Sequence, residues 1–177
     1  MKIRKGFVSN SSSSSFVVVF PHKPESAEET REMMFGKQEW HYAGRYATHQ
    51  DVSTVDISKA VFDNISEQSD RNQVYSSIRN GWFGSYLIPE IFPGHYDGEP
   101  LHPLSFPKDE KRIREIWDER DRINDQRASE IADAFIKEHK DKFITVMTFS
   151  DNDGEFESML EHSKIFNRLK HIQTSYH

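Results

Sequence analysis

Five consecutive apolar residues, Phe16-Val17-Val18-Val19-Phe20, follow directly on a run of serines, Ser11 to Ser15. β-Branched and aromatic side chains without polar alternation predict a strand buried on both faces, which needs cover on either side. Lys2, Arg4 and Lys5 precede the serines, among Ile3, Phe7 and Val8 in an imperfect strand pattern. Ser9 to Ser15 reads either as a hairpin connection or as an extended polar lead-in. Pro21 and Pro24 then stop ladder pairing.

Further along, Ser26-Ala27-Glu28-Glu29 is a capping box. It starts a helix expected to reach Phe35 and stop at Gly36. Residues 37–51 carry Trp40, His41, Tyr42, Tyr46 and His49, as an irregular loop or a short edge strand. Apolar spacing predicts helices over 56–68 and 70–80, the second capped by Asp70 and stopped by Gly81. A strand over 82–88 is weakened by Gly84, and five of the seven prolines lie in 89–107, where no regular element is expected. Residues 108–140 predict a long charged helix, roughly 50 Å if unbroken. Its polar middle, Asn124 to Arg127, reads as a break or a projection. Phe143 to Phe149 is a second buried strand, a helix follows over 155–169, and 171–177 closes as a strand. This strand–helix–strand unit over 143–177 is long enough for a parallel crossover.

The chain should therefore be one α/β domain (or α+β) over residues 1–177, a small mixed sheet with packed helices. Its 177 residues suffice for one core. Only 35% are hydrophobic and 29% are charged, yet 13 Phe, 6 Tyr and 3 Trp argue against disorder. A net charge of −6 with a pI near 5.8 disfavours nucleic acid. The absence of cysteine excludes disulfides and thiolate metal sites and fits a reducing interior. No apolar run approaches the roughly 20 residues of a membrane span. These features lead to the expectation of a cytoplasmic protein.

Two segments carry candidate chemistry. Arg4, Lys5, Ser9, Asn10, Ser11, Ser12 and Ser13 supply cations, backbone amides and hydroxyls for an anion such as phosphate. Against this, serine runs are ordinarily solvated, and the tract lacks P-loop spacing. Ser150-Asp151-Asn152-Asp153-Gly154 lies at a strand's carboxyl end, where α/β sheets commonly face a ligand. Asp151, Asp153, Glu161 and His162 could there hold a divalent cation such as Mg. Turn and N-cap chemistry explains the same Asp-Asn-Asp-Gly run, and a calcium-loop alignment fails. Glu161 and His162 are neighbours on a helix, so their side chains should diverge by about 100°. No zinc-enzyme motif and no nucleophile elbow is present.

The opening Lys2-Ile3-Arg4-Lys5-Gly6-Phe7-Val8-Ser9-Asn10, with its serines and Phe16, resembles that of a group of phage and bacterial proteins without an assigned activity. The closing stretch from Phe149 through Leu160-Glu161-His162 to His177 is similar to part of the same group. The resemblance implies a phage or mobile-element origin and no catalytic residues. The long charged helix, the Pro-rich loop and the lack of a complete catalytic motif favour a non-enzymatic accessory protein that binds a macromolecular partner, either another protein or a second copy. The alternatives are a divalent-metal-dependent phosphoryl-transfer or phosphodiesterase enzyme, and a sensor of a nucleotide or another phosphate-containing small molecule.

Overall fold

The computed structural model describes residues 13–44, 51–80, 95–96, 99–100, 110–150 and 155–176. The chain forms an α/β domain whose central strand is β1, Ser13–Phe20. The strand is three residues longer than the apolar run, because Ser13, Ser14 and Ser15 join the ladder. β1 is flanked by β6 (Phe143–Ser150) and β7 (Lys170–Tyr176), in the order β6-β1-β7. Both neighbours run antiparallel to β1. The expected mixed sheet is thus antiparallel in every described pairing. β6 and β7 still run parallel to each other, with β1 inserted between them as in a split βαβ unit. The placement follows from polarity. β1 is apolar on both faces and takes the centre, while β6 and β7 carry exposed or half-exposed residues such as Thr148 and Gln173 and take the edges.

Alternation along β1 divides the core into two. Phe16, Val18 and Phe20 pack with Met34, Phe35, Ile57, Val61, Met159 and Phe166 on one face. Val17 and Val19 pack with Val74, Ile78, Ala128, Ala132 and Ile172 on the other. The first face is covered by α1 (Ala27–Phe35), α2 (Thr54–Asn64) and α5 (Glu155–His162), the second by α3 (Arg71–Asn80) and α4 (Glu110–Glu138). The Phe16 ring lies 5.2 Å from that of Phe166 and 5.8 Å from that of Phe149. Truncating a buried Phe of this kind costs about 3–5 kcal/mol.

The caps explain the helix starts. Ser26 Oγ accepts from Glu29 N–H at 3.1 Å, while the Glu29 carboxylate reaches back to Glu25 N–H at 2.6 Å. Asp70 accepts from Gln73 N–H at 2.8 Å, and the Gln73 amide oxygen accepts from Asp70 N–H at 2.9 Å. α2 is capped by Ser53 and ends at Asn64, earlier than expected. α4 is continuous, about 40 Å long, so the expected break over 124–127 is absent. Its polar residues dock instead. Arg79 holds Asp125, and Arg71 donates to both Asp133 oxygens at 2.7 and 3.0 Å.

α5 is shorter than the expected 155–169. Lys164 adopts φ 58°, ending the helix and turning 163–169 back toward the sheet. Within 37–51 the chain forms β2 (Trp40–Tyr42), paired antiparallel with β3 (Asp51–Ser53). A minimal ladder joins β4 (His95–Tyr96) and β5 (Glu99–Pro100) inside the Pro-rich stretch, where no element was expected. The strand expected over 82–88 lies outside the described residues. Among the described residues no helix is long and apolar enough to cross a membrane.

Candidate functional site

The serine tract and α5 do meet, in the core. Ser13 sits opposite Ser150 in the ladder, so the tract runs beside the strand that leads to Asp151. One residue on, Ser14 Oγ donates to Glu161 Oε1 at 3.1 Å. The Glu161 side chain is wholly buried, and His162 Nε2 lies 3.6 Å from its other oxygen. The expected divergence of Glu161 and His162 does not occur. His162 is the last residue of α5, and both side chains are long enough to fold toward each other. Ser15 Oγ lies 2.8 Å from Ser77 Oγ, and Thr174 Oγ1 donates to Ser77 O at 3.0 Å. These hydroxyls form a seam between β1, β7 and α3 in which each finds a partner inside the protein, as burial requires. The part of the tract that is described thus consists of packed strand.

Arg4, Lys5, Ser9, Asn10, Ser11 and Ser12 lie outside the described residues, as do Asp151 and Asp153. Among the described residues no group of three or more His, Asp or Glu is arranged to hold a metal ion. Of the candidate ligands, Glu161 and His162 are brought together, with the Glu161 carboxyl already engaged by Ser14.

A second location was not anticipated. A cleft of about 300 Å³ opens between the end of α1, β2 and the turn after α5. Met34, Phe35 and Ile165 are buried apolar residues in its wall. Lys164, Asn167 and Arg168 are exposed at its rim. Tyr42 enters from β2.

Local sequence builds each wall. Gly36 ends α1 at φ 63°, where its missing side chain leaves room for Arg168, since a Cβ there would sit 2.3 Å from Arg168 Nη1. α1 has no basic residue in its own last turn, so this guanidinium faces an otherwise uncompensated helix C-terminus. His41 Nε2 lies 2.8 Å from Ser163 O. A carbonyl only accepts, so this nitrogen carries the proton, and the ring ties β2 to the turn after α5. Thr54 fixes the entry to β2, its N–H donating to Glu39 O at 3.0 Å and its hydroxyl to Gln38 O at 2.7 Å.

The electrostatics of the cleft differ from those of the whole chain. No carboxylate lines it, and neither Lys164 nor Arg168 has an acidic partner among the described residues. Beside the cleft, Trp40 is 59% and Tyr42 65% exposed, and alternation puts both on one side of β2. The signals were present in the sequence as the Trp-His-Tyr cluster and as Lys164 and Arg168. The first had no assigned role, and the second fell within the helix expected over 155–169.

Compared with protein-family models, with curated proteins and with solved structures, the chain matches none.

Proposed function

We propose that this chain is a non-enzymatic, phage-type accessory protein that acts by binding a protein partner, and that the corner formed by β2 and the start of α2 is its docking surface. The observation that carries this is the exposure of Trp40 and Tyr42 on the same side of a two-stranded ribbon, with exposed Val55 two residues beyond β3. Large exposed aromatics are the residues that most often anchor protein interfaces. Tyr42 lines the same cleft as Lys164 and Arg168, which favours a partner surface with negative charge. The metal-dependent phosphoryl-transfer reading draws no support from Glu161, whose carboxyl is taken up in the core.

The test is capture from host lysate followed by affinity measurement with the purified partner. Replacing Trp40 and Tyr42 together by Ser should weaken binding by more than about 2 kcal/mol, the scale of a hot spot. A Lys137→Ser control on the opposite layer should leave it unchanged. A self-associating chain would show the same loss as a shift from dimer to monomer in size-exclusion chromatography. Undiminished affinity and unchanged oligomeric state in the double variant would refute the assignment.

A further inference from the structure

We propose that the cleft between α1, β2 and the turn after α5 is a binding site for a phosphate monoester that also bears a flat ring. This stands on the cleft alone and does not require the protein partner proposed above. Four observations support it.

The first is charge. Lys164 and Arg168 face the same opening with no lining carboxylate and no acidic partner among the described residues. The C-terminus of α1 contributes about half a unit of negative charge. Two full cations outweigh it, so the cleft is positive within a chain of net charge −6. The second is donor type. A guanidinium presents a planar fork of N–H groups and an ammonium adds a point charge, a combination suited to phosphoryl oxygens. The Asn167 amide at the same rim supplies a neutral donor.

The third is shape. Met34, Phe35 and Ile165 give an apolar wall, and Tyr42 offers an exposed ring for stacking. A volume of about 300 Å³ is at the small end for ligand sites, enough for a mononucleotide-sized molecule but not for a dinucleotide. The fourth is preorganisation. Arg168 lies over Gly36, the φ 58° at Lys164 sets the backbone of the turn that carries it, and His41 clamps that turn to β2. Little backbone ordering remains to be done on binding, which favours affinity from few contacts.

Two sources share this chemistry: a free nucleoside monophosphate, and the phosphotyrosine side chain of a protein. The experiment is a titration of the ¹⁵N-labelled full chain with phenyl phosphate, followed by amide shifts. Saturable shifts are expected at residues 34–42 and 163–169. Arg168→Gln should weaken binding about tenfold, the loss of one charge-assisted contact. Lys164→Asn, which tolerates the left-handed backbone, should weaken it in the same direction while leaving the rest of the spectrum in place. Adenosine monophosphate and N-acetyl-phosphotyrosine amide form the second arm, and the one that binds more tightly than phenyl phosphate identifies the source. The proposal is overturned if phenyl phosphate gives no saturable shifts, if the shifts fall elsewhere, or if phenylacetate binds equally well. Binding untouched in both variants overturns it too. Since no partner protein is present, failure here leaves the docking proposal standing, and the reverse also holds.

Discussion

At the scale of single residues, the buried hydroxyls separate into two kinds. Ser14, 1% exposed, donates to the carboxyl of Glu161, whereas Thr145 and Ser58 are buried with hydroxyl oxygens that have no partner. Removing a satisfied buried donor costs about 1–3 kcal/mol, while removing an unsatisfied one of the same shape returns part of its desolvation cost. Thermal unfolding should therefore move in opposite directions, with Ser14→Ala lowering the midpoint and Thr145→Val raising it, the latter by about 1 kcal/mol in stability. Equal destabilisation by both would contradict the assignment of Ser14 as a working contact. The sequence showed the serines as a low-complexity tract. It could not show that the tract's last three residues are strand, because the partners Glu161, Ser77 and Thr174 lie far along the chain.

At the scale of elements, α3 and α4 are joined across a seam by ion pairs that flank the apolar contact of Val74 and Ile78 with Ala128 and Ala132. The Arg79 hydrogen bond holds the Asp125 carboxyl below its ordinary 3.8, and the Arg71 hydrogen bond does the same for Asp133. Glu29 is lowered likewise, by the Glu25 N–H and by His22. A carboxyl depressed in the folded state contributes stability that is present above its unfolded pKa and is lost as pH falls through the folded value. Both aspartates are more than half exposed, so each contribution is small. Denaturant midpoints should accordingly be insensitive to these groups above about pH 5 and fall below about pH 4. The double variant Asp125→Asn, Asp133→Asn should start lower at neutral pH and show a shallower acid fall. A profile parallel to that of the native chain would mean the pairs contribute nothing.

The same seam shows why some elements were legible and others not. β1 and β6 announce themselves as apolar runs, and α1 is bracketed by Ser26 and Gly36, so these follow from local chemistry. Asp125 looked like part of a polar interruption because its partner, Arg79, sits more than 40 residues away. The end of α5 was missed for a different reason: Lys164 takes a positive φ that lysine does not advertise. Edge protection was likewise invisible. Gln68 and Ser69 accept from Ile144 N–H and Val146 N–H, each at 3.0 Å, along the free side of β6, blunting an edge that would otherwise recruit another strand.

At the scale of the whole molecule, one doubly buried strand organises two helical layers, and a small β2–β3 ribbon stands beside the first layer, next to the turn after α5. Sequence reasoning reached the α/β class and the central strand but looked for function at the serine tract and at Asp151. The exposed Trp40 and Tyr42 lie instead on β2, beside the cleft that carries Lys164 and Arg168, a place that exists only once α1, β2 and the turn after α5 are folded together.

The most direct test of that corner as the binding face is hydrogen–deuterium exchange of the full chain, free and in complex with its captured partner. Slowed exchange concentrated in residues 38–42 and 53–56, with α3 and α4 unchanged, is the predicted result. Protection confined to α3 and α4, with the β2 corner exchanging as in the free chain, would contradict it.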